Sequence, residues 1–139
     1  MSQNKILKIE KELLDEFELF GDDWEAKYNY IIELGKTLPA MPNQYKTDDY
    51  LIKGCQSRVW LKADKENNLL HFMADSDALI PKGIIALLLK LVNHQSADEI
   101  LNYDFGIINK IGLQQHLSPT RANGLVSMIN SIKQYAKAQ

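Results

Sequence analysis

The stretch that decides the fold is residues 50–73, YLIKGCQSRVWLKADKENNLLHFM. Val59-Trp60-Leu61 and Leu69-Leu70-His71-Phe72-Met73 are short runs rich in β-formers, and the polar cluster Asp64-Lys65-Glu66-Asn67-Asn68 between them has the composition of a hairpin turn. Two antiparallel strands are expected, with a third around Tyr50, Leu51 and Ile52. On the amino-terminal side, Ile6, Ile9, Leu13, Leu14, Phe17 and Phe20 recur at helical spacing, and Gly21 then suits a C-terminal cap. Asp22 and Glu25 have capping-box spacing ahead of an apolar face of Trp24, Tyr28, Ile31 and Ile32, so a second helix runs to about Lys36. Pro39 and Pro42 prevent its extension, leaving residues 37–49 as a connection.

On the carboxyl-terminal side, Ile80, Ile84, Leu87, Leu88 and Leu91 mark a helix apolar enough to lie centrally, with Pro81 tolerated in its first turn. Ser96 and Glu99 form another capping-box pattern, residues 105–113 make a further short apolar piece, and Ser118-Pro119 opens a final helix carrying Leu125, Met128, Ile129, Ile132 and Tyr135. Helices around a central hairpin predict an α+β fold: a small antiparallel sheet of about three strands covered by helices on one side. With 139 residues and 45% hydrophobic content, the chain is expected to form one domain over residues 1–139.

Charge excludes some partners. The net −2 arises from 18 acidic and 16 basic residues mixed along the chain, so no basic stripe exists for nucleic acid or an anionic membrane. The opening MSQNKILKIEKELLDEF interrupts its apolar residues with charge and is expected to be neither signal peptide nor anchor. One cysteine allows no internal disulfide, and a free thiol persists best in a reducing compartment, so a cytoplasmic location is expected.

That cysteine, Cys55, lies in the polar loop Lys53-Gly54-Cys55-Gln56-Ser57-Arg58 between two apolar runs. Gly54 permits a sharp turn or a close approach; Lys53 and Arg58 supply charge that acts to lower the thiol pKa from about 8.5, whereas a thiol packed inward at rest, among Ile52, Val59 and Trp60, has it raised, and residue order leaves the balance open. Gln56 and Ser57 carry groups able to hydrogen-bond a thiolate or a persulfide anion. Free cysteine is also among the most buried residue types, so local chemistry leaves both a reactive thiol and a core residue open. Arg121 is expected in the first turn of the final helix, where the dipole disfavours a cation, and it serves either an anion near Cys55 or a surface ion pair. Asp75 and Asp77 alternate at the end of the second strand, and Asp77 is expected to cap the next helix. His71, His94 and His116 lie at no metal-ligand spacing, and structural roles are expected for them and for Trp24 and Trp60.

Gly54-Cys55-Gln56-Ser57-Arg58-Val59-Trp60-Leu61 resembles the GCQSxVWL signature of the SufE family, SufE and its paralogue CsdE, which accept sulfur from cysteine desulfurases. The segment Trp24-Glu25-x-x-Tyr28-x-x-Ile31-Ile32-Glu33-Leu34-Gly35 is similar to the family's second helix, and Leu38-Pro39 to the loop after it. Asp75-Ser76-Asp77-Ala78 with Lys82-Gly83, then Gln115-His116-Leu117-Ser118-Pro119-x-Arg121-x-x-Gly124-Leu125, resemble later motifs in order. The resemblance spans residues 14–135; Ala74 stands where the family often has Gly, and residues 41–50 match poorly. It implies a fold shared with IscU-type scaffolds and a persulfide carried on Cys55, with Gly54, Gln56, Ser57 and Arg121 in support and Arg58, Asp75 and Asp77 toward a partner. The implied partners are a SufS- or CsdA-like cysteine desulfurase using pyridoxal phosphate and an iron–sulfur scaffold such as the SufBCD complex, with no cofactor or metal on this chain. Three other functions compete: a cysteine-dependent hydrolase or transferase with His71 or His116 as base, a cluster scaffold poorly served by one thiolate, and a binding module in which Cys55 is dispensable.

Overall fold

Residues 3–138 are described by a computed structural model, with side chains from residue 5. The first apolar spacing becomes α1 (Gln3–Glu18), which buries Ile6, Leu13 and Phe17. α2 (Trp24–Lys36) begins one residue later than its capping pattern suggests: Asp23, not Asp22, accepts the Ala26 N–H at 3.1 Å. Two adjacent acids offered the same signal, and only the one placed three residues before a free helical N–H can use it.

α3 (Leu79–Val92) is the axis of the core, with Ile84, Ile85, Leu87, Leu88, Leu91 and Val92 almost wholly buried. It packs on α2 with backbones in contact. A Cβ on Gly83 would lie 2.1 Å from the Ile31 carbonyl oxygen, and one on Gly35 would lie 3.0 Å from Gly83 N, so glycine on both helices sets the crossing.

β1 (Val59–Glu66) and β2 (Leu69–Ser76) pair antiparallel, from Val59 opposite Ser76 to Glu66 opposite Leu69. The strands outrun the expected hairpin because only Asn67 and Asn68 turn. Both take positive φ (55° and 65°), the left-handed pair that a two-residue turn demands and asparagine tolerates. The expected third strand is not formed. Leu51 makes a single antiparallel bridge to Trp60, and the residues before it coil into 3₁₀ turns, Asn43–Tyr45 and Asp48–Tyr50.

Leu70, Phe72 and Ala74 form the buried face of β2, packed with α3, and the Tyr135 hydroxyl donates to the Leu61 carbonyl at 2.8 Å. Beyond α3, Leu70 exchanges backbone hydrogen bonds with His94 and Gln95 (2.8 and 2.9 Å), which covers the outer edge of β2. The Ser96–Glu99 capping box opens α4 (Ala97–Asn102) as the sequence leads one to expect. Short helices α5 (Ile107–Ile111) and α6 (Leu113–His116) lead to α7 (Pro119–Lys137), where Ser118 Oγ accepts the Arg121 N–H at 3.3 Å. Among the described residues no helix is long and apolar enough to cross a membrane.

Candidate functional site

The hairpin register extends past the ends of the strands and builds the loop around Cys55. Ile52 N–H donates to the Val59 carbonyl at 2.8 Å, closing the loop's base. On the far side Arg58 lies opposite Asp77: the Arg58 N–H donates to Asp77 Oδ1 (3.1 Å), and the Arg58 carbonyl accepts from Asp77 N–H (3.2 Å) and Ser76 Oγ (2.7 Å). Asp77 is therefore a loop fastener and not the helix cap expected of it. The N-cap of α3 is Ala78, which has no side-chain acceptor, while the Asp77 carboxylate binds the Arg58 N–H.

Gly54 presses the loop onto α7. Its φ is +96°, and a Cβ there would meet Ser127 Oγ at 2.3 Å, so both conformation and space require glycine. The thiol consequently lies against the helix: Cys55 Sγ is 3.5 Å from the Gly124 carbonyl, toward which the S–H donates, and is half-buried. Burial pushes the thiol pKa up. Of the two opposed influences on the thiol, burial prevails: the Lys53 and Arg58 side chains are exposed, and desolvation governs the half-buried sulfur.

Beside the sulfur is a pocket of about 370 Å³. The loop contributes Cys55, Gln56 and Ser57; Pro81, Ile84 and Met128 supply an apolar wall. The opening turns of α7 contribute Ser118, Thr120, Arg121 and Gly124. Arg121 is the one charged residue lining it and forms no ion pair among the described residues. Cys55, Gln56, Ser57 and Arg121 are thus brought together from the expected list. Gly54 stands behind the thiol, Asp77 fastens its loop, and the Arg58 side chain is exposed outside the pocket. Asp75 lies elsewhere, on the sheet's outer face, where it binds Lys46 (2.8 Å) and Lys82 (3.3 Å). Burial alone would raise the Asp75 carboxyl, but hydrogen bonds from Lys46, the Ser76 N–H and Lys82 outweigh it and hold the pKa below the usual carboxylate value.

No histidine lines the pocket. His71 and His94 face each other, Nδ1 to Nδ1 at 2.7 Å, and His116 stacks on Trp24 at 3.8 Å while its Nδ1 meets the Gly112 carbonyl. A Cys55–His71 or Cys55–His116 dyad is therefore not assembled. Among the described residues there is no group of three or more His, Cys, Asp or Glu side chains placed to share a metal ion. Reading the sequence missed Pro81, Ile84, Thr120 and Met128 as walls, because helical spacing marks an apolar side without saying that the starts of α3 and α7 converge.

Comparison with known proteins agrees with this architecture. The family model described as "SufE: Fe-S metabolism associated domain" matches residues 11–136. An uncharacterized SufE-like protein of Rhizobium meliloti (strain 1021) is 44% identical over 133 residues, covering 92% of this chain and 94% of the relative. A second such protein, from Rhizobium etli, is 42% identical over 133 residues, covering 92% and 89% respectively. The solution structure of a hypothetical protein from Thermus thermophilus superposes with a TM-score of 0.76 over 94% of each chain at 19% identity, a likeness of fold.

Proposed function

The chain belongs to the SufE family, associated with Fe–S metabolism, and from that membership and the thiol pocket we propose that it accepts persulfide sulfur on Cys55 from a cysteine desulfurase and passes it to iron–sulfur cluster assembly. The observation that carries the proposal is the placement of the chain's only cysteine in one pocket with Gln56, Ser57 and an Arg121 that has no described anionic partner. The Cys55 thiolate attacks the outer sulfur of the desulfurase persulfide; the S–S bond breaks, and the desulfurase thiolate leaves. Arg121 supplies positive charge for anions in the pocket, including the new Cys55 persulfide, and Gln56 and Ser57 supply hydrogen-bond donors. A scaffold of the SufBCD kind then takes the sulfur, in the reducing cytoplasm where a free thiol endures.

In this reading storage and transfer are separate conformations, and the resting geometry supports the first. Half-burial against Gly124 and a raised pKa keep Cys55 sluggish toward stray electrophiles, and a partner that binds the outward loop better exposes the thiol. The test is stimulation: adding the protein to a cysteine desulfurase should raise alanine release from cysteine, and Cys55→Ser should abolish the increase. Equal stimulation by the serine variant would reject Cys55 as the acceptor.

A further inference from the structure

Sheltering one extra sulfur atom on Cys55 needs far less room than the pocket offers. Its volume of about 370 Å³ lies at the small end of the roughly 300–1,000 Å³ typical of small-molecule sites. Its walls are also divided chemically. Ile84, Met128 and Pro81 form an apolar surface suited to a short alkyl chain, whereas Arg121 brings a guanidinium, with the hydroxyls of Ser118 and Thr120 nearby on the chain. Among the described residues no carboxylate lines the pocket to neutralise that guanidinium, so its one charge favours an anion, and a guanidinium fork matches a carboxylate bidentately.

Building on Cys55 as the sulfur acceptor, we infer that the pocket also admits a small alkyl persulfide bearing a carboxylate, and that Cys55 takes sulfur from it with no protein donor. The carboxylate is held by Arg121, the alkyl chain lies against Ile84 and Met128, and the outer sulfur meets Cys55. Cys55 gives up its thiol proton to solvent, and its thiolate attacks the outer sulfur of R–S–SH. The donor S–S bond breaks as the new one forms, R–S⁻ leaves and takes up a proton, and no oxidant or reductant is consumed.

The experiment uses the full chain without desulfurase and two donors, the persulfides of 3-mercaptopropionate and of 2-mercaptoethanol, which differ in presenting a carboxylate or a neutral hydroxyl. The initial rate of gain of roughly 32 Da at Cys55 is followed by intact mass, each donor normalised to its rate with a free small thiol. The carboxylate donor should saturate and exceed the neutral one at least about tenfold at low concentration. That ratio should fall to within about twofold in Arg121→Gln and be partly kept in Arg121→Lys, with unchanged circular dichroism. A normalised ratio near one in the natural protein, or one undiminished in Arg121→Gln, overturns the inference. A parallel arm with desulfurase and cysteine separates the two claims. Loading by the enzyme without carboxylate preference defeats the small-donor inference alone, whereas loading from no source defeats Cys55 as an acceptor as well.

Discussion

Asp77→Ala removes one fastening of the Cys55 loop without touching the thiol or its pocket. The carboxylate accepts the Arg58 N–H at 3.1 Å, while the Ile52–Val59 bond and the two bonds to the Arg58 carbonyl remain. Asp77 is exposed, so the freed N–H is rehydrated and the cost is that of one ordinary hydrogen bond, about 1 kcal/mol. Spent on the balance between packed and outward loop, this raises the outward population about fivefold. The assay is pseudo-first-order alkylation of Cys55 by iodoacetamide, read by intact mass, with Lys65→Ala near the hairpin turn as control. The Asp77→Ala rate should rise about fivefold and the control should match the natural protein. An Asp77→Ala rate within about 1.5-fold of the natural protein, at unchanged circular dichroism, would show that the loop is held by other means or is already open.

Three further outcomes follow from the same geometry. Gly83→Ala places a Cβ 2.1 Å from the Ile31 carbonyl oxygen in the α2–α3 crossing, and should cost about 3 kcal/mol or more in urea unfolding, whereas an exposed change such as Lys65→Ala should cost almost nothing. Asp75 has a folded pKa below its unfolded value, so its contribution is present above about pH 4 and lost as pH falls through the folded pKa. Asp75→Asn should therefore lower stability by about 1 kcal/mol at neutral pH, with the difference closing in acid. The Cys55 pKa is raised, so the midpoint of its alkylation rate against pH in the free protein should lie above about 8.5, the midpoint of an ordinary thiol; a midpoint at or below that value would contradict the buried resting thiol.

Local signals were legible in the sequence and long-range convergence was not. Ser96–Glu99 and Ser118–Pro119 were readable because a cap is made by residues three apart. Residues 50–52 looked like a strand by composition, yet Asp48–Tyr50 winds into a 3₁₀ turn and leaves only Leu51 to meet Trp60. The clamp between Arg58 and Asp77 was within reach: had Asn67-Asn68 been read as a two-residue turn, the register would have put those residues opposite each other. Both influences on the thiol were legible, cationic neighbours that lower its pKa and burial that raises it, but which of them wins was not. Lys53 and Arg58 neighbour Cys55 in sequence, but whether their charges act on the sulfur depends on side-chain direction and burial, which residue order does not encode.

The central claim is that Cys55 accepts sulfur from a desulfurase, and its most direct measurement is the intact mass of the chain after incubation with a cysteine desulfurase and cysteine, with and without dithiothreitol. The natural protein should gain roughly 32 Da on Cys55, removable by the reductant, and Cys55→Ser should gain nothing. A dithiothreitol-labile sulfur on the serine variant, or none on the natural protein while the desulfurase turns over, would contradict the account.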